Sequence, residues 1–93
     1  MIRLIPAAGS VRVTFVLPVD SDNAPGRCSV VGDFNDWQPG RHEMRRRSNG
    51  TRSVAVTLPE GSRVRFRYLA ENGHWFNDPD VPTREGADSV LEL

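Results

Sequence analysis

The chain has 93 residues, 38% of them hydrophobic, and twelve arginines balance twelve acidic residues with no lysine at all. This length supports one domain with one core, read here as residues 1–93. A net charge of zero gives no bulk attraction to a polyanion, and one cysteine excludes an intramolecular disulfide and a zinc site of the usual kind. The apolar runs fall far short of the roughly 20 residues that a membrane-spanning helix needs. No membrane partner is therefore expected, and the lone thiol and absent leader point to the cytoplasm.

In chain order, residues 1–10 read as a short apolar strand or tail followed by a connector. Val11 to Leu17 alternate apolar and polar, the mark of a half-buried strand, and Pro18 ends it. Asp20 to Gly26 is a polar turn region. Arg27 to Val31 is a strand that stops abruptly at Gly32-Asp33, where a Cβ would clash. Asn35-Asp36 supply turn chemistry there. Phe34 is expected to anchor that turn in the core, with Trp37 facing outward or capping a core edge. Glu43 to Arg47 reads as a short strand with Met44 inward, and Asn49-Gly50 as a hairpin turn. Thr51 to Leu58 alternates again and Pro59-Glu60-Gly61 turns the chain. From Ser62 to Ala70 the alternation predicts Val64, Phe66, Tyr68 and Ala70 inward, and Arg63, Arg65, Arg67 and Leu69 outward. A second hairpin turn at Asn72-Gly73 leads to His74-Trp75-Phe76, of which only one of Trp75 and Phe76 can face the core. Val81 to Ala87 is read as a loop and Asp88 to Leu93 as a last strand. Short strands separated by Gly, Pro and Asn turns predict an all-β, antiparallel sandwich of about seven strands.

The ordered set Val-Val-Gly-Asp-Phe-Asn-Asp-Trp (30–37), Leu-Pro-Glu-Gly (58–61), Arg-Phe-Arg-Tyr (65–68) and Gly-His-Trp-Phe-Asn-Asp-Pro (73–79) resembles carbohydrate-binding module family 48. These are the early-set, immunoglobulin-like N-terminal domains of isoamylase-type enzymes, similar also to the glycogen-binding domain of the AMP-activated protein kinase β subunit. The resemblance implies a non-catalytic domain that binds an α-glucan or maltooligosaccharide, with a glycogen-metabolising enzyme as a further partner. Carried over residue by residue, it implies sugar stacking on Trp37 and Trp75, a hydrogen bond from Arg67, and a polar contact from Asp88 by nearest match. The stretch Val81 to Ala87 lacks the Leu and Thr that wrap the glucan in the kinase-type domain.

The residues themselves are compatible with that reading. A sugar ring offers apolar C–H faces and a rim of hydroxyls, which proteins meet with flat aromatic platforms and planar polar groups. Trp37 and Trp75 are the platforms, and Asn35, Arg67, Asn77 and Asp88 the hydrogen-bonding groups. Asp33, Asp36, Asp78 and Asp80 all lie in turn contexts, where Asp serves the backbone, so paired-carboxylate hydrolysis has no support. His42 and His74 have no nucleophile beside them. No metal or cofactor is expected. Two rival readings stay open. One is a protein-interaction or enzyme-docking module of the same fold. The other, less favoured, is single-stranded nucleic-acid binding on a basic face of Arg45–Arg47 with Arg63, Arg65 and Arg67.

Overall fold

The computed structural model describes residues 1–19 and 26–93. The expected polar turn at 20–26 therefore lies almost wholly outside the described residues. Among the described residues nine strands form: β1 (Ile2–Ala7), β2 (Ser10–Pro18), β3 (Cys28–Gly32), β4 (Arg45–Arg46), β5 (Thr51–Pro59), β6 (Arg63–Ala70), β7 (Trp75–Phe76), β8 (Arg84–Glu85) and β9 (Asp88–Glu92). A single 3₁₀ turn, Asp33–Asn35, follows β3. The first sheet runs β1-β2-β5-β4 and the second β3-β6-β9-β8, with β7 also paired to β6. Every pairing is antiparallel, which gives the expected all-β, immunoglobulin-like sandwich. The strands in excess of seven are two-residue pieces. One of them, β8, falls in the stretch read as a loop, where it pairs Arg84 with Ser89 and Glu85 with Asp88.

The alternation in the sequence places the core correctly. Val11, Val13, Phe15 and Leu17 from β2 meet Val64, Phe66, Tyr68 and Ala70 from β6, with Cys28 and Val30 from β3. Phe15 sits at the centre of an aromatic cluster, 5.0 Å from Phe66 and 6.4 Å from Tyr68 between ring centroids. Phe34 stacks on Phe15 at 5.9 Å, so the turn after β3 is anchored in the core as expected. Burial pushes the Cys28 thiol up to about 11 against a smaller opposing pull from Arg52, which makes it an inert core residue. The Tyr68 hydroxyl donates to the fully buried Asp78 carboxylate at 2.6 Å. Asp78 also accepts from the Asp80 amide at 2.9 Å and the Met1 amino group at 3.1 Å. Burial first, and then the bond to Asp78, push the Tyr68 phenol above its ordinary value.

The division into two sheets corrects one reading of the sequence, the common basic face. β5 and β6, adjacent in the chain, do not pair: the Pro59–Gly61 turn carries the chain from one sheet to the other. Arg67 lies opposite Val31 on β3. For the same reason Arg45 and Arg46 belong to the first sheet and Arg63, Arg65 and Arg67 to the second, so the two rows form no common basic face.

On one side, Met44 N–H donates to Cys28 C=O at 2.8 Å and Val30 N–H to His42 C=O at 2.9 Å. The chain then moves to the other sheet as β4, so residues 42–46 stitch the sheets together. At the other side, β1 is a free edge with Leu4 and Ile5 about half exposed (49% and 54%). Met1 and Val16 exchange both backbone bonds, at 2.7 and 2.8 Å. By antiparallel alternation the backbone groups of Ile2, Leu4 and Pro6 therefore point away from β2.

Candidate functional site

The turn after β3 determines where Trp37 goes. Gly32 comes so close to β6 that a Cβ on it would lie 2.4 Å from the Arg65 carbonyl oxygen and 3.0 Å from the Phe66 Cβ. Asn35, only 3% exposed, then closes the turn from inside. Its Oδ1 accepts from Gly32 N–H at 3.0 Å, and its Nδ2 donates to Val30 C=O and to His42 Nδ1, both at 3.0 Å. Since Nδ1 of His42 accepts, the ring proton sits on Nε2. Asp36 and Trp37 follow with φ of 55° and 57°, two successive left-handed residues without glycine, each costing about 1–2 kcal/mol. Such strain persists only where the surroundings over-determine it. The Trp37 N–H bonds back to Gly32 C=O at 3.0 Å, and its indole Nε1–H to Asp33 Oδ1 at 3.0 Å.

Asp33 is the hub of this arrangement. Its other oxygen accepts from the Arg65 backbone N–H at 3.0 Å, and the Arg65 guanidinium lies 3.3 Å away. Partial burial pushes the Asp33 carboxyl up, but the Arg65 bonds and the Trp37 indole together outweigh it and hold the carboxyl below the ordinary range. The sign follows from linkage: a depressed carboxylate keeps its bonds above the ordinary aspartate value and loses them only as pH falls through its own lower value. The Trp37 indole N–H resonance is therefore expected to stay constant from neutral pH down to about 4, the ordinary carboxylate range, and to move only below it. A midpoint above that range, read by NMR, would contradict the anchoring role.

On the outer face of the second sheet, Trp37, Arg65, Arg67, Trp75 and Asp88 line one shallow groove of about 480 Å³. That is within the ~300–1,000 Å³ usual for small-ligand sites. Trp75 is 37% exposed and its neighbour Phe76 is buried, which settles their alternation. The Arg67 guanidinium lies 5.4 Å from the Trp75 ring centroid, over one face, a cation–π contact that steadies both side chains. Arg67 Nε has no hydrogen-bond partner among the described residues. Arg65 is paired with Asp33 at 3.3 Å and Glu85 at 3.7 Å, while Arg63 bonds Glu85 and Glu92. Of the arginines on β6, only Arg67 thus lies on the groove without an ion pair among the described residues.

Four of the six residues singled out from the sequence, Trp37, Trp75, Arg67 and Asp88, come together in this groove. Asn35 and Asn77 do not line it. Asn35 is spent inside the turn, and the Asn77 amide donates to Ala87 C=O at 3.0 Å while its Oδ1 accepts from Ser89 at 2.9 Å. Sequence reasoning missed Asp33 and Arg65. The Asp of the Gly-Asp-Phe-Asn run was the available signal, since a turn Asp one helical step before a Trp can reach its indole. The larger groove of the described residues, on the first sheet, carries no Trp, Tyr or Phe, so it lacks the chemistry of the smaller one.

A groove walled by two indoles, with charged planar groups beside them, is suited to a ring that is apolar on its faces and polar on its rim. The family profile described as Carbohydrate-binding module 48 (Isoamylase N-terminal domain) matches residues 9–81. The chain belongs to carbohydrate-binding module family 48. Its family-level property is carbohydrate binding by a domain that is not itself catalytic. The chain is 37% identical over 60 residues to 1,4-alpha-glucan branching enzyme GlgB 2 of Xanthomonas campestris pv. campestris (strain 8004), covering 63% of this chain and 8% of the relative. It is 71% identical over 63 residues to 1,4-alpha-glucan branching enzyme GlgB of Rhodopseudomonas palustris (strain BisB5), 67% of this chain and 9% of the relative. An amylopullulanase of Thermoanaerobacter thermohydrosulfuricus matches at 24% over 87 residues, 85% of this chain and 6% of that enzyme. This family 48 module thus spans less than a tenth of the length of these curated relatives. Among the described residues no helix is long and apolar enough to cross a membrane.

Proposed function

We propose that this family 48 module binds α-glucan chains, stacking sugar on Trp37 and Trp75. The observation that carries the reading is the convergence of both tryptophans with Arg67 and Asp88 on one groove. The family's carbohydrate-binding character and the glucan-acting names of the relatives support α-glucan as the ligand class. The cation–π contact with Trp75 holds the Arg67 guanidinium beside the platform. Arg67 then offers its free N–H groups to ring hydroxyls, and Asp88 accepts from them. The anchored Trp37 loses little freedom on binding, which limits the entropic cost. The groove is shallow and touches few sugar units, so affinity per site is weak, about −4 to −8 kcal/mol or millimolar to micromolar. The module does no chemistry of its own in this reading. It holds a glucan-metabolising enzyme, joined or docked, close to the polymer.

The test is titration with maltoheptaose and β-cyclodextrin, followed by the two indole N–H resonances. Saturable shifts of both support the reading. No response at millimolar sugar overturns it in favour of a docking module without a sugar site.

A further inference from the structure

The Arg45-Arg46-Arg47 run has no part in the sugar groove. It belongs to a second, open groove of about 1070 Å³, formed by β4, the outer face of β2 and β5, and the segment that stitches the sheets. Seven of the twelve arginines line it, against two carboxylates, Glu43 and Glu71. Both carboxylates are already engaged by Arg27: Glu43 by its guanidinium at 3.5 Å and Glu71 by its backbone N–H at 3.2 Å. Among the described residues no carboxylate pairs with Arg12, Arg45 or Arg46. Arg12 and Arg45 share the outer face of the first sheet, because their partners on β5, Thr57 and Ser53, are four residues apart on one strand and so face the same way. Arg52 lines the groove from below, 3% exposed, with Nε unpartnered among the described residues. Among the described residues, cationic charge thus gathers on this side.

We propose that this groove is a docking surface for an acidic, Asp/Glu-rich segment of a protein partner. Arginine forks match carboxylates bidentately and shed water more readily than lysine. Met44, Val54 and Ala55 also line the groove, and Met and Arg are residue types enriched in protein interfaces. A single-stranded nucleic acid fits less well, because no Trp, Tyr or Phe is present for bases to stack on. The sugar groove lies on the other sheet, so a partner seated here leaves the glucan free to bind, and the two properties can be lost separately.

The test uses the 93-residue chain and a fluorescein-labelled peptide of repeating Glu-Asp-Glu-Leu, followed by fluorescence anisotropy. Saturable binding is expected, weakened by salt and at least ~tenfold weaker in Arg45→Glu/Arg46→Glu, with the maltoheptaose titration unchanged. Arg12→Glu, at the far side of the same face, serves if the double variant does not fold. The proposal is overturned if the acidic peptide does not bind, if a Gln-Asn-Gln-Leu peptide binds equally well, or if charge reversal has no effect. Tighter binding of oligo-dT than of the acidic peptide also overturns it and makes this a nucleic-acid groove.

Discussion

Replacing Gly32 by alanine is expected to destabilise the domain by about 3 kcal/mol, the upper range for forcing a carbon into a packed site. The backbone at Gly32 is ordinarily extended, with φ of −169°, so conformational freedom is not the issue. The new Cβ would meet the Arg65 carbonyl oxygen at 2.4 Å and the Phe34 ring at 2.9 Å. One neighbour is backbone in a paired strand and the other is pinned on Phe15, so neither can retreat without parting β3 from β6. For a domain of this size the thermal midpoint should fall by roughly 10–20 °C. Gly40→Ala is the control. Gly40 has φ of 84° and nothing within 4 Å of its Cβ position, so it should cost only about 1–2 kcal/mol of left-handed strain. If Gly32→Ala unfolds no more readily than Gly40→Ala, the close approach to β6 is not what requires glycine here.

Trp37→Ala is expected to cost at least ~tenfold in maltoheptaose affinity, or about 1.4 kcal/mol. Asp33→Ala keeps the ring but removes the acceptor of its N–H and of Arg65. It should weaken binding by a smaller factor, because the platform is present but no longer aimed. The two losses should not add: in a Trp37→Ala background, Asp33→Ala has nothing left to orient. Calorimetry on the four proteins of this cycle reads the coupling directly. Full additivity would show that Asp33 contributes to binding independently of Trp37.

Much of this molecule was legible from short-range pattern. The period-two alternation of Val64, Phe66, Tyr68 and Ala70 fixed the inner face of β6, and the Asn-Gly pairs marked the turns before β5 and after β6. The resemblance found the two tryptophans. What was illegible depends on contacts distant in the chain. Nothing local says that β5 and β6 part company after Pro59, and this is why the two arginine rows looked like one basic face. Asn35 carried the same turn signal whether its amide pointed to solvent or into the Gly32 backbone. The strand β8 has two residues and exists through pairing with β9, so no propensity marks it. The pairing of Arg65 with Asp33 spans 32 positions of sequence, and only the fold joins them.

Pro6 has a consequence beyond its own strand. In the proposed function, a glucan polymer offers many repeated sites, and modules bound along it would stand at high effective concentration. An exposed apolar edge strand such as β1 would then template pairing with the next copy. The backbone of Ile2 and Leu4 invites such a ladder, but at Pro6 the outward position carries no N–H. A strand added from a neighbouring copy would run out of donors there. On the glucan-binding function proposed above, this single residue would let copies crowd on one polymer without their sheets fusing edge to edge.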